Sequence, residues 1–267
     1  MSYWTDKVAI VTGGSRGLGR AVAYALATSG ARVVVAARDA DALAHCAREF
    51  RAGGADITTI VTDVTQSEQV DNMVRQSVDR YGRLDVLVNA AGRSTRTAIA
   101  ETTPEAFTDL LEVNFLATVR CARAALPHLI STKGHLVNIG SLASKTVVPY
   151  LGAYPASKFA VAAYSQQLRL ELGREGLHVL LVCPGPILRP DGGARYDQLT
   201  DDLPEAARQP GGGSKIRPLL PTHVARKILK YCERRKVELV MPGKARLLFA
   251  AAQLCPSLVD RYLRRKL

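Results

Sequence analysis

Tyr154 and Lys158 stand four residues apart at the end of the stretch Ser-Leu-Ala-Ser-Lys-Thr-Val-Val-Pro-Tyr-Leu-Gly-Ala-Tyr-Pro-Ala-Ser-Lys, which begins at Ser141. With no helix breaker after Pro155, a helix would carry both side chains on one face. A phenol beside an ammonium is a proton-transfer pair. The positive charge favours the phenolate and draws the tyrosine pKa down from ~10 towards neutrality, where a general acid or base works best. Ser141 supplies a hydroxyl able to bond the reacting oxygen. The same spacing also suits a solvated lysine lying along a ring, so the pair carries meaning only with a site built around it.

That site needs elements to hold it. Residues 8–12, Val-Ala-Ile-Val-Thr, are apolar and β-branched and predict a buried parallel strand. Behind them come Gly13, Gly14, Ser15, Arg16, Gly17, Leu18 and Gly19, then an alanine-rich helical stretch. Strand, glycine turn and helix aim backbone N–H groups and a helix N-terminus at a pyrophosphate; Gly13, Gly17 and Gly19 allow the tight turn and close approach. Residues 32–37 predict a second strand, followed by Arg38, Asp39 and a helix over 40–51 that Gly53 and Gly54 end. In a dinucleotide fold the tip of this strand faces the adenosine ribose, where a basic residue suits the extra phosphate of NADP and an acidic one suits NAD. Arg38 and Arg16 therefore favour NADP(H) over NAD(H). Asp39 opposes this unless it is the N-cap of the next helix.

The alternation continues. Strands are predicted over 56–61, 84–88, 135–140 and 178–183, and helices over 67–81, 103–131 and 154–174; the second of these helices has Pro104 in its first turn and contains Asn114. Six strands separated by helices predict an α/β fold with a doubly wound parallel sheet. Its ligands belong beyond the C-terminal strand ends, where the glycine loop, Asp63, Asn89, Ser141 and Pro184 all fall.

Composition narrows the class. With 267 residues and 47% hydrophobic content, the chain can bury one large core, and no linker divides it. No apolar run approaches the ~20 residues of a membrane span, and a first strand starting near Lys7 leaves no room for a signal peptide, so a cytoplasmic protein is expected. Cys46, Cys121, Cys183, Cys232 and Cys255 are odd in number and form no Cys-x-x-Cys pair. With scattered histidines, they predict reduced thiols and no metal. The net charge is +12, and residues 217–267 hold 13 Lys or Arg against 3 acidic residues, or +10 of that total. This is a solvated basic face or a contact for an acidic protein, an anionic membrane or nucleic acid; few aromatics and no recognition motif argue against the last.

Thr12-Gly-x-x-x-Gly-x-Gly19, Asp63, Asn89-Ala90-x-Gly92, Asn114, Ser141, Tyr154-x-x-x-Lys158 and Pro184-Gly185 occur in the order found in one family. The chain resembles a classical short-chain dehydrogenase/reductase over residues 6–187, with a seventh strand near 237–241. The resemblance implies a single Rossmann-type domain spanning 1–267: a seven-stranded parallel sheet flanked by helices, with a helical C-terminal extension. It implies that Tyr154 gives a proton to the substrate oxygen as hydride arrives from the nicotinamide. Lys158 would lower the tyrosine pKa and hold the nicotinamide ribose, Ser141 would polarise the carbonyl, and Asn114 would hold a water linking Lys158 to solvent. Asp63 and Val64 would place the adenine; Asn89, Ala90 and Gly92 would pack around the cofactor; Pro184, Gly185 and Ile187 would border the nicotinamide.

Local roles compete with these. Asn114 suits a structural hydrogen bond, Ser141 a turn or capping hydroxyl, and Asp63 an N-cap before the following helix. Where the family often has a threonine against the carboxamide, this chain has Arg189. Residues 186–217, rich in glycine, match the family's substrate lid, or form a disordered insert. The tail, 244–267, predicts two short helices with Pro256 opening the second; it caps the cleft, joins subunits or lies on an anionic membrane. The expected function is an NADP(H)-dependent oxidoreductase acting on a hydrophobic ketone or a 3-oxoacyl-type substrate, as a homodimer or homotetramer. An acidic carrier protein is a further partner suited to the basic region. The alternative is a catalytically silent NADP(H)-sensing or partner-binding protein of the same fold.

Overall fold

Every residue of β1 (Val8–Thr12) is buried, which is why its sequence is apolar without alternation. The computed structural model describes residues 2–189, 203, 204, 207 and 216–264. β1 leads into α1 (Gly17–Thr28), β2 (Arg32–Ala37), α2 (Ala40–Ala52), β3 (Thr58–Val61), α3 (Ser67–Tyr81) and β4 (Val86–Asn89). Then follow α4 (Pro104–Leu111), a π-helical turn (Glu112–Leu116), α5 (Ala117–Ser131), β5 (His135–Ile139), α6 (Tyr154–Leu172) and β6 (His178–Pro184). The described chain ends with α7 (Pro221–Glu233), β7 (Glu238–Met241), α8 (Ala245–Leu254) and α9 (Pro256–Arg264).

The seven strands form one parallel sheet in the order β3-β2-β1-β4-β5-β6-β7. Successive strand residues point to opposite faces, so β1 feeds two cores. Ala9 and Val11 pack with Val22, Leu26 and Leu43, and with Val224 and Ile228 of α7. Val8 and Ile10 pack with Val70 and Met73 of α3, Cys121 and Leu129 of α5, and Leu168 of α6. This is a doubly wound Rossmann-like fold. Because the strands are parallel, every β-to-α loop opens on one edge.

Several boundaries differ from expectation for local reasons. β4 begins at Val86, and just before it the Asp85 carboxylate accepts from the Val8 N–H at 3.0 Å and from Arg83 at 2.8 and 2.6 Å. β3 starts at Thr58, after Asp56 bonds the Ile57 N–H through its own side chain. α6 stops at Leu172 and continues as a 3-10 turn, Gly173–Glu175. The helix expected over 103–131 is interrupted by the π turn around Asn114. α7 went unpredicted, although Val224, Ala225, Ile228, Leu229 and Cys232 follow a helical period. The expected lid falls mostly on residues 190–202, 205, 206 and 208–215, outside the described residues. Its two ends are stitched together by Leu188 N–H to Leu219 O at 2.8 Å and Leu219 N–H to Pro186 O at 2.7 Å.

Candidate active site

The residues expected to be catalytic come from three places on the C-terminal edge. β5 ends at Ile139 and delivers Ser141; α6 starts at Tyr154 and carries Lys158 one turn later; the π turn carries Asn114. Lys158 is buried at 6% exposure, and its Nζ donates to the Ile139 carbonyl at 2.9 Å. The ammonium lies 5.8 Å from the centre of the Tyr154 ring. Burial lowers the lysine pKa to about 8. Its charge is therefore costly to hold in this site, and a developing phenolate beside it would offset that cost.

Ser141 is the N-cap of a short 3-10 turn, Leu142–Ser144. Its Oγ accepts from the Ala143 N–H at 3.1 Å, and its own N–H donates to Ser144 Oγ at 3.1 Å. The capping role is thus real. It leaves the hydroxyl proton available to a ligand.

Asn114 is likewise built into the structure. Its Oδ1 accepts from the Arg93 N–H at 2.8 Å, and its Nδ2 donates to the Arg93 carbonyl and to Ser157 Oγ, both at 2.9 Å. This clamp holds the end of the β4 loop against the helix, and the π turn accommodates it. A Cβ on Gly92 would lie 2.7 Å from Asn114 Oδ1 and 3.6 Å from Lys158 Nζ. Glycine at 92 therefore leaves a gap faced by both polar atoms.

Of the residues expected to face the cofactor, Gly13, Ser15, Arg16, Arg38, Asp63, Val64 and Gly92 line one cleft of about 640 Å³, which Val113 also borders. Gly13 has φ +63°, and a Cβ there would lie 2.7 Å from the Ala91 backbone, so the loop closes against the end of β4 only with glycine. A Cβ on Gly19 would run into the Gly13 carbonyl. Arg16, the N-cap of α1, makes no side-chain cap bond to the first-turn amides. Pro184 closes β6, and the Gly185 N–H is held by the Met241 carbonyl at 2.7 Å. Ile187 pairs with Leu219, and Arg189 is exposed.

Asp39 takes the capping role expected of it, and both arginines near the tip of β2 have acidic neighbours. Asp39 is the N-cap of α2, accepting from the Ala42 N–H at 2.9 Å, and it also accepts from Arg16 Nη2 at 2.6 Å. Arg38 lies 4.0 Å from Asp63. Asp63, by contrast, is not a helix N-cap, since α3 starts after Gln66. Instead its Oδ1 accepts from the Thr65 N–H at 2.9 Å and the Thr65 hydroxyl at 2.8 Å. Burial opposes ionisation of Asp63, but these bonds and Arg38 outweigh it and hold the carboxyl below its usual range.

Sequence reasoning missed a polar chain beneath the site. Asn89 Nδ2 donates to Asn138 Oδ1, and Asn138 Nδ2 donates to Ser165 Oγ, both at 2.9 Å, with all three side chains buried. The signal was an asparagine inside the apolar run His-Leu-Val-Asn-Ile. Asn89 Oδ1 remains buried without a partner. Ser157 and the Arg93 backbone were also missed; neither carries a pattern visible without the fold.

A model of the short chain dehydrogenases matches residues 7–197. The chain belongs to the classical short-chain dehydrogenase/reductase family. An uncharacterized oxidoreductase of Staphylococcus saprophyticus is 36% identical over 209 residues, covering 76% of this chain and 89% of that protein. Among solved structures, a variant of the actinorhodin polyketide ketoreductase with NADPH superimposes at TM-score 0.79 with 31% identity, over 90% of this chain and 97% of that one. A short-chain dehydrogenase/reductase from Burkholderia phymatum, in complex with NAD, reaches 0.80 with 25% identity, over 95% of this chain and 96% of that one. Solved members of this short-chain dehydrogenase/reductase fold thus hold either nicotinamide cofactor, and this chain is an oxidoreductase of the same family.

Among the described residues, one cluster has metal-ligating types: His135, His178 and Cys232, all buried. It lies at the opposite sheet edge, where β5 and β6 begin. The Lys236 carbonyl can only accept, so His178 Nε2 carries a proton at 3.0 Å from it. In the neutral ring Nδ1 then accepts from His135 Nδ1 at 2.8 Å, and His135 Nε2 accepts from the Tyr3 hydroxyl at 2.8 Å. Every ring nitrogen is engaged, and burial pushes the Cys232 thiol up, away from thiolate.

Proposed function

We propose that this chain is an NADP(H)-dependent reductase of a ketone or 3-oxoacyl-type carbonyl, or the dehydrogenase of the matching secondary alcohol. The observation that carries this is the buried Lys158 beside Tyr154, with the Ser141 hydroxyl on the same edge and the glycine-lined cleft leading to it. The cleft suits a dinucleotide: the glycine loop leaves room for a backbone approach, and the N-terminus of α1 has no side-chain cap. When bound, NADPH supplies the hydride.

The protein's part is to orient and to move a proton. Ser141 donates its hydroxyl hydrogen to the carbonyl oxygen and polarises it. Tyr154 donates the phenolic proton to that oxygen as charge develops, giving the alcohol and a phenolate. The charged Lys158 stabilises the phenolate. A water in the gap between Asn114 Oδ1 and Lys158 Nζ would return the proton from solvent. In the dehydrogenase direction Tyr154 takes the proton instead.

Cofactor preference rests chiefly on Arg38, which is 71% exposed and only loosely paired with Asp63. Leu116, at the end of the π turn that leads into α5, and Phe159 and Leu170 of α6 are 40, 40 and 70% exposed, which supports a homodimer or homotetramer through those helices. Five free cysteines, Cys255 alone among them exposed, suit a reducing, cytoplasmic compartment. The whole chain, 1–267, acts as one domain, with 186–217 as its lid. The basic region could also receive an acidic carrier protein.

Titration with NADPH and NADH, followed by a panel of ketones that includes 3-oxoacyl thioesters and steroids, tests the reading directly. Tyr154→Phe should keep NADPH affinity and lower turnover by about 10²–10⁴-fold. A biological readout that survived this change would favour the catalytically silent alternative. Failure to bind either nucleotide would sink the cofactor assignment.

A further inference from the structure

α8 is apolar on two opposite faces. Phe249 is 9% exposed and packs in a small cluster with Val161, Leu181 and Val240, against which Leu142 of the Ser141 turn also rests. The other face carries Leu247 at 77% and Leu254 at 82% exposure, with exposed Ala250 and Ala251 between them. These four positions follow the i, i+3, i+4, i+7 spacing of one helical stripe. Leu258, in the first turn of α9, is 59% exposed. Single exposed leucines are ordinary on a protein surface, whereas a stripe of them marks a contact.

The surroundings of the stripe are cationic. Lys244, Arg246, Arg261 and Arg264 are exposed, and Asp260 is the sole acid within α8 and α9. Arg246 leans back on Glu238 at 3.7 Å; Lys244 is the N-cap of α8, and Arg261 and Arg264 stand on α9. Arg265 and Lys266 extend the run in sequence.

We propose that α8 and α9 dock the protein on an anionic lipid surface, with the leucines entering the apolar boundary and the cations meeting phosphate headgroups. Helices with this division of side chains lie in the plane of the interface and gain from both terms. A second copy is the other candidate for an apolar stripe. A two-fold contact would set the same basic residues against each other, which favours the anionic surface instead. No helix among the described residues is long and apolar enough to cross a membrane, so the contact is peripheral. Because the inner face of α8 lies against Leu142, docking would turn the catalytic edge towards the bilayer, which suits a carbonyl on a lipid-like substrate. The docking itself does not depend on the reductase reading, since vesicle binding needs no turnover.

The test is sedimentation of the full-length protein with phosphatidylcholine vesicles, with and without about 30% phosphatidylglycerol, alongside light scattering of the free protein. The protein should sediment with the anionic vesicles and stay in solution with the neutral ones. Leu247→Gln/Leu254→Gln and, separately, Arg261→Glu/Arg264→Glu should each lower the bound fraction about tenfold or more, with thermal melting unchanged. No sedimentation with anionic vesicles overturns the proposal. So does a leucine variant that loses subunits in light scattering while vesicle binding holds, because the stripe would then belong to a second copy. A parallel NADPH titration that failed would sink the cofactor assignment and leave the vesicle result standing.

Discussion

Lys158 is the residue whose environment matters most for pH. Its pKa in the folded chain is about 8, against 10.5 for the free side chain, because it is buried. Below pH 8 it is charged in both folded and unfolded chains, and the cost of burying that charge is fully present. Between pH 8 and 10.5 the unfolded chain keeps a proton the native site has released, so stability rises with pH across this window. Lys158→Met should remove that rise, worth roughly 3 kcal/mol, and raise stability at pH 7. Denaturant melts of both proteins at pH 7.5 and 10 measure it; parallel curves would show that the lysine is not desolvated.

At the same scale, Arg38 differs from Arg16. The Arg16 guanidinium sits 2.6 Å from Asp39, while Arg38 is 4.0 Å from Asp63, too long to be worth much in solvent. Arg38 is therefore the better placed cation for a 2'-phosphate. Arg38→Ala should weaken NADPH binding about 10–100-fold and NADH binding little. Equal losses for both would remove the phosphate from Arg38.

Among the elements, β5 and β6 carry chemistry at one end and a structural tie at the other. The chain from Tyr3 through His135 and His178 to Lys236 joins the N-terminal segment, both strands and the turn before β7. Burial lowers both histidine pKa values, and His178 depresses ionisation of His135 further, so both rings stay neutral when folded. The unfolded chain protonates them near pH 6.5, so it binds more protons than the native state below that value. Stability is then fully present above about pH 6.5 and falls as the solution is acidified, by several kcal/mol in order of magnitude. Thermal melts at pH 7 and 5 should show this fall in the natural protein and a smaller one in His135→Leu/His178→Leu. A similar fall in both would assign acid sensitivity to carboxylates such as Asp85.

For the whole molecule, the asymmetry is in where charge and apolar surface remain after folding. The sheet buries its strands between two helical layers, which leaves α8 and α9 attached at one edge with leucines outward and arginines around them. The same edge holds Ser141, Tyr154 and Lys158, so a surface contact through the tail and access to the catalytic cleft are coupled by position. That arrangement makes vesicle binding and substrate class two views of one face.

By itself the sequence determined the strand-turn-helix order, the parallel sheet and which residues are candidates for the catalytic set. Each of these is local: apolar runs of strand length, glycines where a phosphate must approach, and a four-residue spacing on a helix. Only the tertiary structure decided the roles that depend on distant partners. Arg16 meets Asp39 across two different loops, Asn114 clamps the backbone of Arg93, and Asn89 reaches Ser165 through Asn138. The exposure of Leu247 and Leu254 was equally hidden, because an apolar helix has the same composition whether one of its faces is covered or two. Spacing along a chain reveals which side chains share an element; the packing of elements decides which polar atoms are satisfied and which apolar faces stay open.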